Sequence, residues 1–254
     1  MNKTALITGA TSGLGYEFVQ LLANDQYDLI VVARNEEQLL SIKSEFPQLN
    51  ITTISKDLSK PGSIKEVVEE IREKQLQVDV LINNAGFGLL GKFDELNVEK
   101  QLEMIQLNIS ALTELTHAFL PEMKNRKYGK VMNVASTAAF QPGPMMAVYY
   151  ATKAYVLSFS EALVEELVGT GVSVTTLCPG ATKTNFGAVA NVEKTKMFSK
   201  AMDATTVAAL GYNGMQKGKR VVITGSSNII GAAAAKFLPR STTAKIAKYV
   251  AGDK

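Results

Sequence analysis

The sequence predicts a doubly wound α/β domain: a parallel sheet of about seven strands with helices on both faces. Three observations carry this. Short β-branched runs alternate with longer helical patterns over nearly all of the 254 residues, as successive βα units do. Runs such as Ala5-Leu6-Ile7 and Val80-Leu81-Ile82 are continuously apolar, as strands covered by helices on both sides should be. Distinctive polar and glycine residues recur just past those runs, at the end of such a sheet where ligands bind.

In chain order the expected strands are Thr4–Thr8, Leu29–Ala33, Ile51–Ser55, Asp79–Ile82, Lys130–Val134, Ser173–Leu177 and Arg220–Thr224. Helical patterns separate them, among them Glu36–Phe46, Ile64–Lys74, Met104–Met123 and Tyr149–Val168. Past successive strands come Gly9, Asp57, Asn83, Ser136 and Pro179-Gly180. No linker, low-complexity tract or repeat interrupts the pattern, so residues 1–254 read as a single domain, with 226–254 a C-terminal helical tail.

Composition narrows the function. A domain of this length buries roughly three quarters of its unfolded surface and needs no staple. Cys178 and His117 are the only cysteine and histidine, too few for a disulfide or a zinc site. A net charge of +3, with both signs spread along the chain, does not describe a nucleic-acid surface. No apolar run reaches the roughly 18 residues of a membrane span, and from Met1 the chain enters a strand with no charged leader. The expectation is a cytoplasmic protein with no metal, no nucleic-acid partner and no membrane span.

The first strand runs into Thr8-Gly9-Ala10-Thr11-Ser12-Gly13-Leu14-Gly15 ahead of a helix. Glycines permit a tight turn and close backbone approach to a pyrophosphate, which then meets the positive helix N-terminus. The spacing is GxxxGxG, not the general GxGxxG, so the loop alone leaves a ligand-free turn open. Gly86 to Lys92 resembles a nucleoside-triphosphate loop, but Phe93 stands where a hydroxyl should reach Mg²⁺. Thr224-Gly225 lacks the three-glycine spacing and reads as a turn. The second strand ends Val31-Val32-Ala33-Arg34-Asn35, with no acid to accept a bond from a ribose 2′-hydroxyl. Arg34 suits a 2′-phosphate, which a guanidinium grips through paired donors; the alternative is a solvated loop arginine. NADP(H) is the expected cofactor.

Tyr149 and Lys153, four residues apart on a helix, face the same side. Carbonyl reduction needs a proton donor beside the hydride acceptor. A tyrosine titrates near 10, and bringing it close to 7 takes roughly 4 kcal/mol, which a neighbouring ammonium can help supply. Tyr150 competes in position but has Ala154 four residues on.

Together with Asn83-Asn84-Ala85-Gly86, Asn108, Ser136 and Pro179-Gly180, these residues make the sequence resemble the short-chain dehydrogenase/reductase family in its short, single-domain form, over roughly residues 3 to 225. The resemblance implies a Rossmann-like dinucleotide-binding and catalytic domain, and a set of roles. Tyr149 is the proton donor or acceptor, Lys153 its activator and a ligand of the nicotinamide ribose, and Ser136 the partner of the substrate oxygen. Asn108 holds a water linking Lys153 to solvent. Gly9, Thr11, Ser12, Gly13, Leu14 and Gly15 line the pyrophosphate, and Asp57 and Leu58 the adenine. Asn83, Ala85 and Gly86 lie on the adenosine side, and Pro179, Gly180, Thr182 and Thr184 by the nicotinamide. Thr182 stands where the family commonly carries an aliphatic residue.

The function implied is an NADP(H)-dependent oxidoreductase moving a hydride between nicotinamide and a carbonyl or alcohol. Alternatives are a non-catalytic NADP(H) sensor and a sugar-nucleotide epimerase or dehydratase on the same fold. The substrate pocket is expected from Phe87, Leu89 and Leu90, from Phe140, Pro142, Met145 and Met146, and from Phe186, Met197 and Phe198, a greasy wall suited to apolar ketones or aldehydes. Lys183, Lys194 and Lys196 could instead recognise an anion. The family pairs subunits through helices corresponding to Met104–Met123 and Tyr149–Val168, so a homodimer or homotetramer is expected. The tail, with Lys236, Arg240, Lys245 and Lys248 among apolar residues, is expected to be solvated or to pack between subunits rather than lie on a membrane.

Overall fold

The computed structural model describes residues 2–252; the expectations at Met1 and for Asp253 and Lys254 of the tail lie outside the described residues. The strands are β1 (Thr4–Thr8), β2 (Asp28–Ala33), β3 (Ile51–Ser55), β4 (Val80–Asn83), β5 (Gly129–Val134), β6 (Val172–Cys178), the short β7 (Thr182–Lys183) and β8 (Met202–Asp203), and β9 (Val221–Ile223). Seven of them form one parallel sheet in the order β3-β2-β1-β4-β5-β6-β9, while β7 and β8 pair with each other. This is the Rossmann-like α/β sheet the alternation predicts, and its order reverses between β1 and β4. A crevice opens at such a switch point.

The helices are α1 (Gly13–Asn24), α2 (Glu36–Glu45), α3 (Ser63–Glu73), α4 (Val98–Ile105), α5 (Leu112–Asn125), α6 (Ala147–Glu166), the single turn α7 (Phe186–Val189), α8 (Ala204–Gln216), α9 (Ser226–Phe237) and α10 (Arg240–Ala251). Their patterning explains their seats. In α3 the buried Ile64, Val67, Val68 and Ile71 repeat at i, i+3, i+4 and i+7, a single apolar stripe. In α2 the Asn35 side chain accepts from the Gln38 amide, acids occupy the first turn and Lys43 the last, which suits the helix dipole. One core joins Phe18, Leu22, Leu39, Ala208 and Met215 to one sheet face; the other joins Val67, Ile71, Leu115, Phe119 and Leu163 to the opposite face. Each buried Val, Leu, Ile, Phe or Met side chain among them contributes about 1.5–3 kcal/mol.

Two features depart from the sequence reading. The helix expected over Met104–Met123 is broken by a π-helical turn, Gln106–Ala111, which periodicity could not reveal. The tail, though exposed over most of its length, is not separate from the domain: α9 and α10 fold back over the sheet's carboxyl edge, and Ala247 joins the cluster holding Met146 and Tyr149. Gly225, read as a turn, sits at a φ of 88° and starts α9.

Candidate active site

A cavity of about 1650 Å³ lies beyond the carboxyl ends of the strands, larger than a typical small-ligand pocket. Gly9, Thr11, Ser12, Gly13, Leu14, Arg34, Asp57, Leu58, Ala85, Gly86, Ser136, Tyr149, Lys153, Pro179, Gly180, Thr182 and Thr184 line it; Gly15, Asn83 and Asn108 do not.

The glycine loop is shaped by contacts that leave no room for side chains. Gly9 and Gly13 have φ of 65° and 53°, a region that L side chains avoid. A Cβ on Gly15 would sit 2.0 Å from the Gly9 carbonyl oxygen, so Gly15 acts behind the cavity wall, closing loop onto helix. The N-cap of α1, Ser12, is extended and its side chain makes no capping bond, so the first amides of α1 are not satisfied by it, as an anion-binding helix end requires. Those residues fit a pyrophosphate.

The loop is stitched to the end of β4. Thr8 Oγ1 accepts from the amides of Asn84 (3.1 Å) and Ala85 (3.0 Å), while Asn84 Nδ2 donates to Thr8 O (2.9 Å) and Gly9 O (3.2 Å). Asn83, one residue earlier, is still in the strand and points the other way: its Nδ2 donates to Thr116 Oγ1 and Asn133 Oδ1. Its side chain is thus a core clasp, and Asn84 is the residue that sequence reading missed.

At the opposite end of the cavity Arg34 and Asp57 stand just past the ends of adjacent strands, since Ala33 is in register with Ser55. Arg34 is exposed and has no carboxylate within ion-pair distance among the described residues. Burial works to raise the Asp57 carboxyl, but the hydroxyl and amide of Ser59 and the nearby Arg34 outweigh it, holding the group below its ordinary value. Lys56 also lines this end; only the β2–β3 pairing brings it beside Arg34.

The chemical centre lies where β5 and α6 meet. Tyr149 and Lys153 are both buried, with Lys153 Nζ 5.8 Å from the Tyr149 ring centroid. Lys153 Nζ donates to the Val134 carbonyl at 2.8 Å, and burial holds its pKa down to about 8. Burial pushes the Tyr149 phenol well above its ordinary value, a rise that the Ser136 hydroxyl partly offsets. Ser136 caps the short 3₁₀ turn Thr137–Phe140, its Oγ accepting from the Ala138 amide at 3.1 Å. Tyr150 also lines the cavity, but its ring lies where a Cβ on Gly143 would fall, 2.2 Å from Cγ, and burial alone raises it. Asn108 sits in the π turn. Its Oδ1 accepts from the Phe87 amide (3.1 Å), and its Nδ2 donates to Phe87 O and Thr152 Oγ1 (both 3.0 Å). The side chain therefore fixes the loop after β4 against α6.

Phe87, Leu89, Met146, Phe186, Met197 and Phe198 form the apolar wall beside Tyr149, whereas Leu90, Phe140, Pro142 and Met145, also expected in it, do not line the cavity. The ring centroids of Tyr149 and Phe186 are 5.4 Å apart. Leu238, Ile246 and Val250 of the tail complete the wall, which no local sequence pattern announced. Asn228 of α9 packs so tightly on Gly180 that a Cβ there would be 2.3 Å from its Nδ2. Among the described residues no group of His, Cys, Asp and Glu could hold a metal, and no helix is long and apolar enough to cross a membrane.

Comparison with known proteins agrees with this architecture. The short chain dehydrogenase family profile matches residues 3–195. An uncharacterised oxidoreductase of Staphylococcus saprophyticus is 34% identical over 186 residues, 72% of this chain and 80% of the relative. A short-chain dehydrogenase from Sphingobium yanoikuyae, solved in complex with NADPH, superposes with a TM-score of 0.83 at 29% identity, covering 92% of this chain and 94% of that one. A bulky-bulky ketone specific alcohol dehydrogenase from Comamonas testosteroni gives 0.78 at 28% identity, covering 92% of both chains. The chain is an oxidoreductase and belongs to the short-chain dehydrogenase/reductase family.

Proposed function

We propose that the chain is an NADP(H)-dependent carbonyl reductase whose substrates are apolar ketones or aldehydes. The observation that carries the reaction type is the convergence of the half-buried Ser136 with the buried Tyr149 and Lys153 on one cavity wall. When bound, NADPH supplies the hydride that reaches the carbonyl carbon. Burial keeps the Tyr149 phenol protonated at neutral pH, the form a reduction consumes: its proton passes to the carbonyl oxygen as the C–H bond forms. The Ser136 hydroxyl holds that oxygen. Lys153 contributes positive charge beside the phenolate as it forms, and Asn108 acts through its side chain as a positioning residue. A non-catalytic sensor would have no use for this buried acid.

Arg34, free of carboxylate partners among the described residues, supports NADP(H) over NAD(H), with Asp57 and Leu58 on the adenine side. The apolar wall supports the substrate class, as does the ketone preference in the name of the Comamonas relative. Exposed Val98, Leu102 and Ile105 with Tyr155 of α6 support self-association through these helices, as a homodimer or homotetramer.

The test follows NADPH absorbance with carbonyl substrates of rising apolar size. Catalytic efficiency should rise with size and be higher with NADPH than NADH. Arg34→Ala should erode the cofactor preference about 10-fold to 100-fold, the worth of a charge-assisted bond pair. Equal efficiency with both cofactors in the unmodified protein, or a preference for charged substrates, refutes the corresponding part of the reading.

A further inference from the structure

The surface made by α9 and α10 combines two properties. Phe237 is 88% exposed, Ile230 69% and Tyr249 68%, a concentration of large apolar side chains that marks an interaction surface. The charge there has one sign. Residues 204–254 hold eight of the chain's 27 Lys and Arg but one of its 24 Asp and Glu, Asp253; Lys217, Lys219 and Arg220 precede β9 at the far edge of the sheet, and the two helices themselves carry four cations and no acid. The remaining 203 residues are net acidic, so the even spread of charge expected from the totals does not hold. Lys236, Arg240, Lys245 and Lys248 lie on the two helices themselves, and Lys196 reaches the Tyr249 ring at 3.8 Å.

We propose that this face docks on the surface of an anionic lipid bilayer, with the mouth of the cavity turned toward the lipid. Apolar side chains beside a field of lysines are what an interfacial helix presents to acyl chains and acidic headgroups. Since no described helix can span a bilayer, the contact is peripheral. A second copy of this chain fits less well. A two-fold contact sets a patch against itself, and here every charged helix residue would meet its own sign. Nucleic acid would satisfy the cations but leave Ile230 and Phe237 unburied. Leu238 and Ile246 both line the cavity and are 41% and 51% exposed, so the rim belongs to the docking face. The docking is independent of the reaction; the route it opens for an apolar ketone rests on the proposed function.

The experiment sediments the full chain with vesicles of phosphatidylcholine alone or mixed with phosphatidylserine. Binding should require phosphatidylserine and fall at high salt. Lys245→Gln with Lys248→Gln should lower partitioning about 25-fold, about fivefold per cation. Ile230→Ser with Phe237→Ser should also weaken it without lowering the melting temperature, since both side chains are exposed. Neither pair lines the cavity. Equal binding to both vesicles, or binding to neither, overturns the proposal. So does light scattering in which Ile230→Ser with Phe237→Ser dissociates an oligomer, which would make the occupant a second copy.

Discussion

Replacing Lys153 by Met should make the protein inactive yet relatively more stable at neutral pH, and the gain should vanish in alkali. Lys153 is 5% exposed and its pKa falls from 10.5 to about 8 in the folded chain. The unfolded chain therefore holds the proton more tightly, and every pH below about 8 carries the full penalty of keeping an ammonium buried or stripping it. At about 1.4 kcal/mol per tenfold, that penalty is about 3 kcal/mol. As pH rises from 8 to 10.5 the penalty fades, because the unfolded chain also sheds the proton. Met fills similar volume without the charge, while the lost bond to Val134 O costs about 1–3 kcal/mol at every pH. The informative quantity is thus the pH dependence: the melting temperature of Lys153→Met minus that of the unmodified protein should fall by several degrees between pH 7 and pH 10, at about 2–4 °C per kcal/mol for a domain near this size. Differential scanning calorimetry across that range measures it. A difference constant with pH would show that Lys153 is not held in a destabilising environment, and the argument from burial would fail.

Two further predictions concern the same wall. Tyr149→Phe should keep fold and cofactor binding but cut turnover about 10²–10⁴-fold, the worth of a positioned acid, whereas Tyr150→Phe should cost far less; equal losses in steady-state assays would assign the acid wrongly. Gly15→Ala brings a Cβ to 2.0 Å from Gly9 O and should cost about 1–3 kcal/mol or more, against about 1 kcal/mol for Gly62→Ala, where φ is 81° but no atom lies within 4 Å. Urea denaturation that finds the two alike would contradict the proposed closure of the loop.

Much of this was legible because local pattern and tertiary environment agree. β1 and β4 are buried on both faces, so their apolar runs read directly, and all seven main strands lie within a residue or two of their expected ends. The glycine loop and the Tyr149–Lys153 pair were legible because a short stretch of one element fixes their geometry. Asn83 and Asn84 were not: one residue of strand register decides which enters the core, and the apolar run gave no sign that β4 extends through Asn83. The π turn at Asn108 carries no periodic mark. Lys56 and the tail residues reach the cavity only through long-range pairing, between β2 and β3 and between α10 and the loop after α7. The charge asymmetry of residues 204–254 was present in the sequence but averaged away in the total.

The π turn between α4 and α5 amounts to an extra residue wound into what would otherwise be one long helix. A residue in an α-helix advances the side-chain direction by about 100°, and the wider turn takes in the extra residue without turning the downstream half by that angle. Upstream, Gln101 and Met104 face inward; downstream, Leu112, Leu115, Thr116 and Phe119 do. The wide turn falls between the two buried stripes, at the position where Asn108 grips Phe87. Removing one residue from Gln106–Ala111 would let an ordinary α-helical path run through with both stripes still buried, but it would shift Asn108 and break its grip on Phe87. The site's positioning residue is thus tied to the one extra residue of the wide turn, while the core beneath depends only on the two α-helical halves.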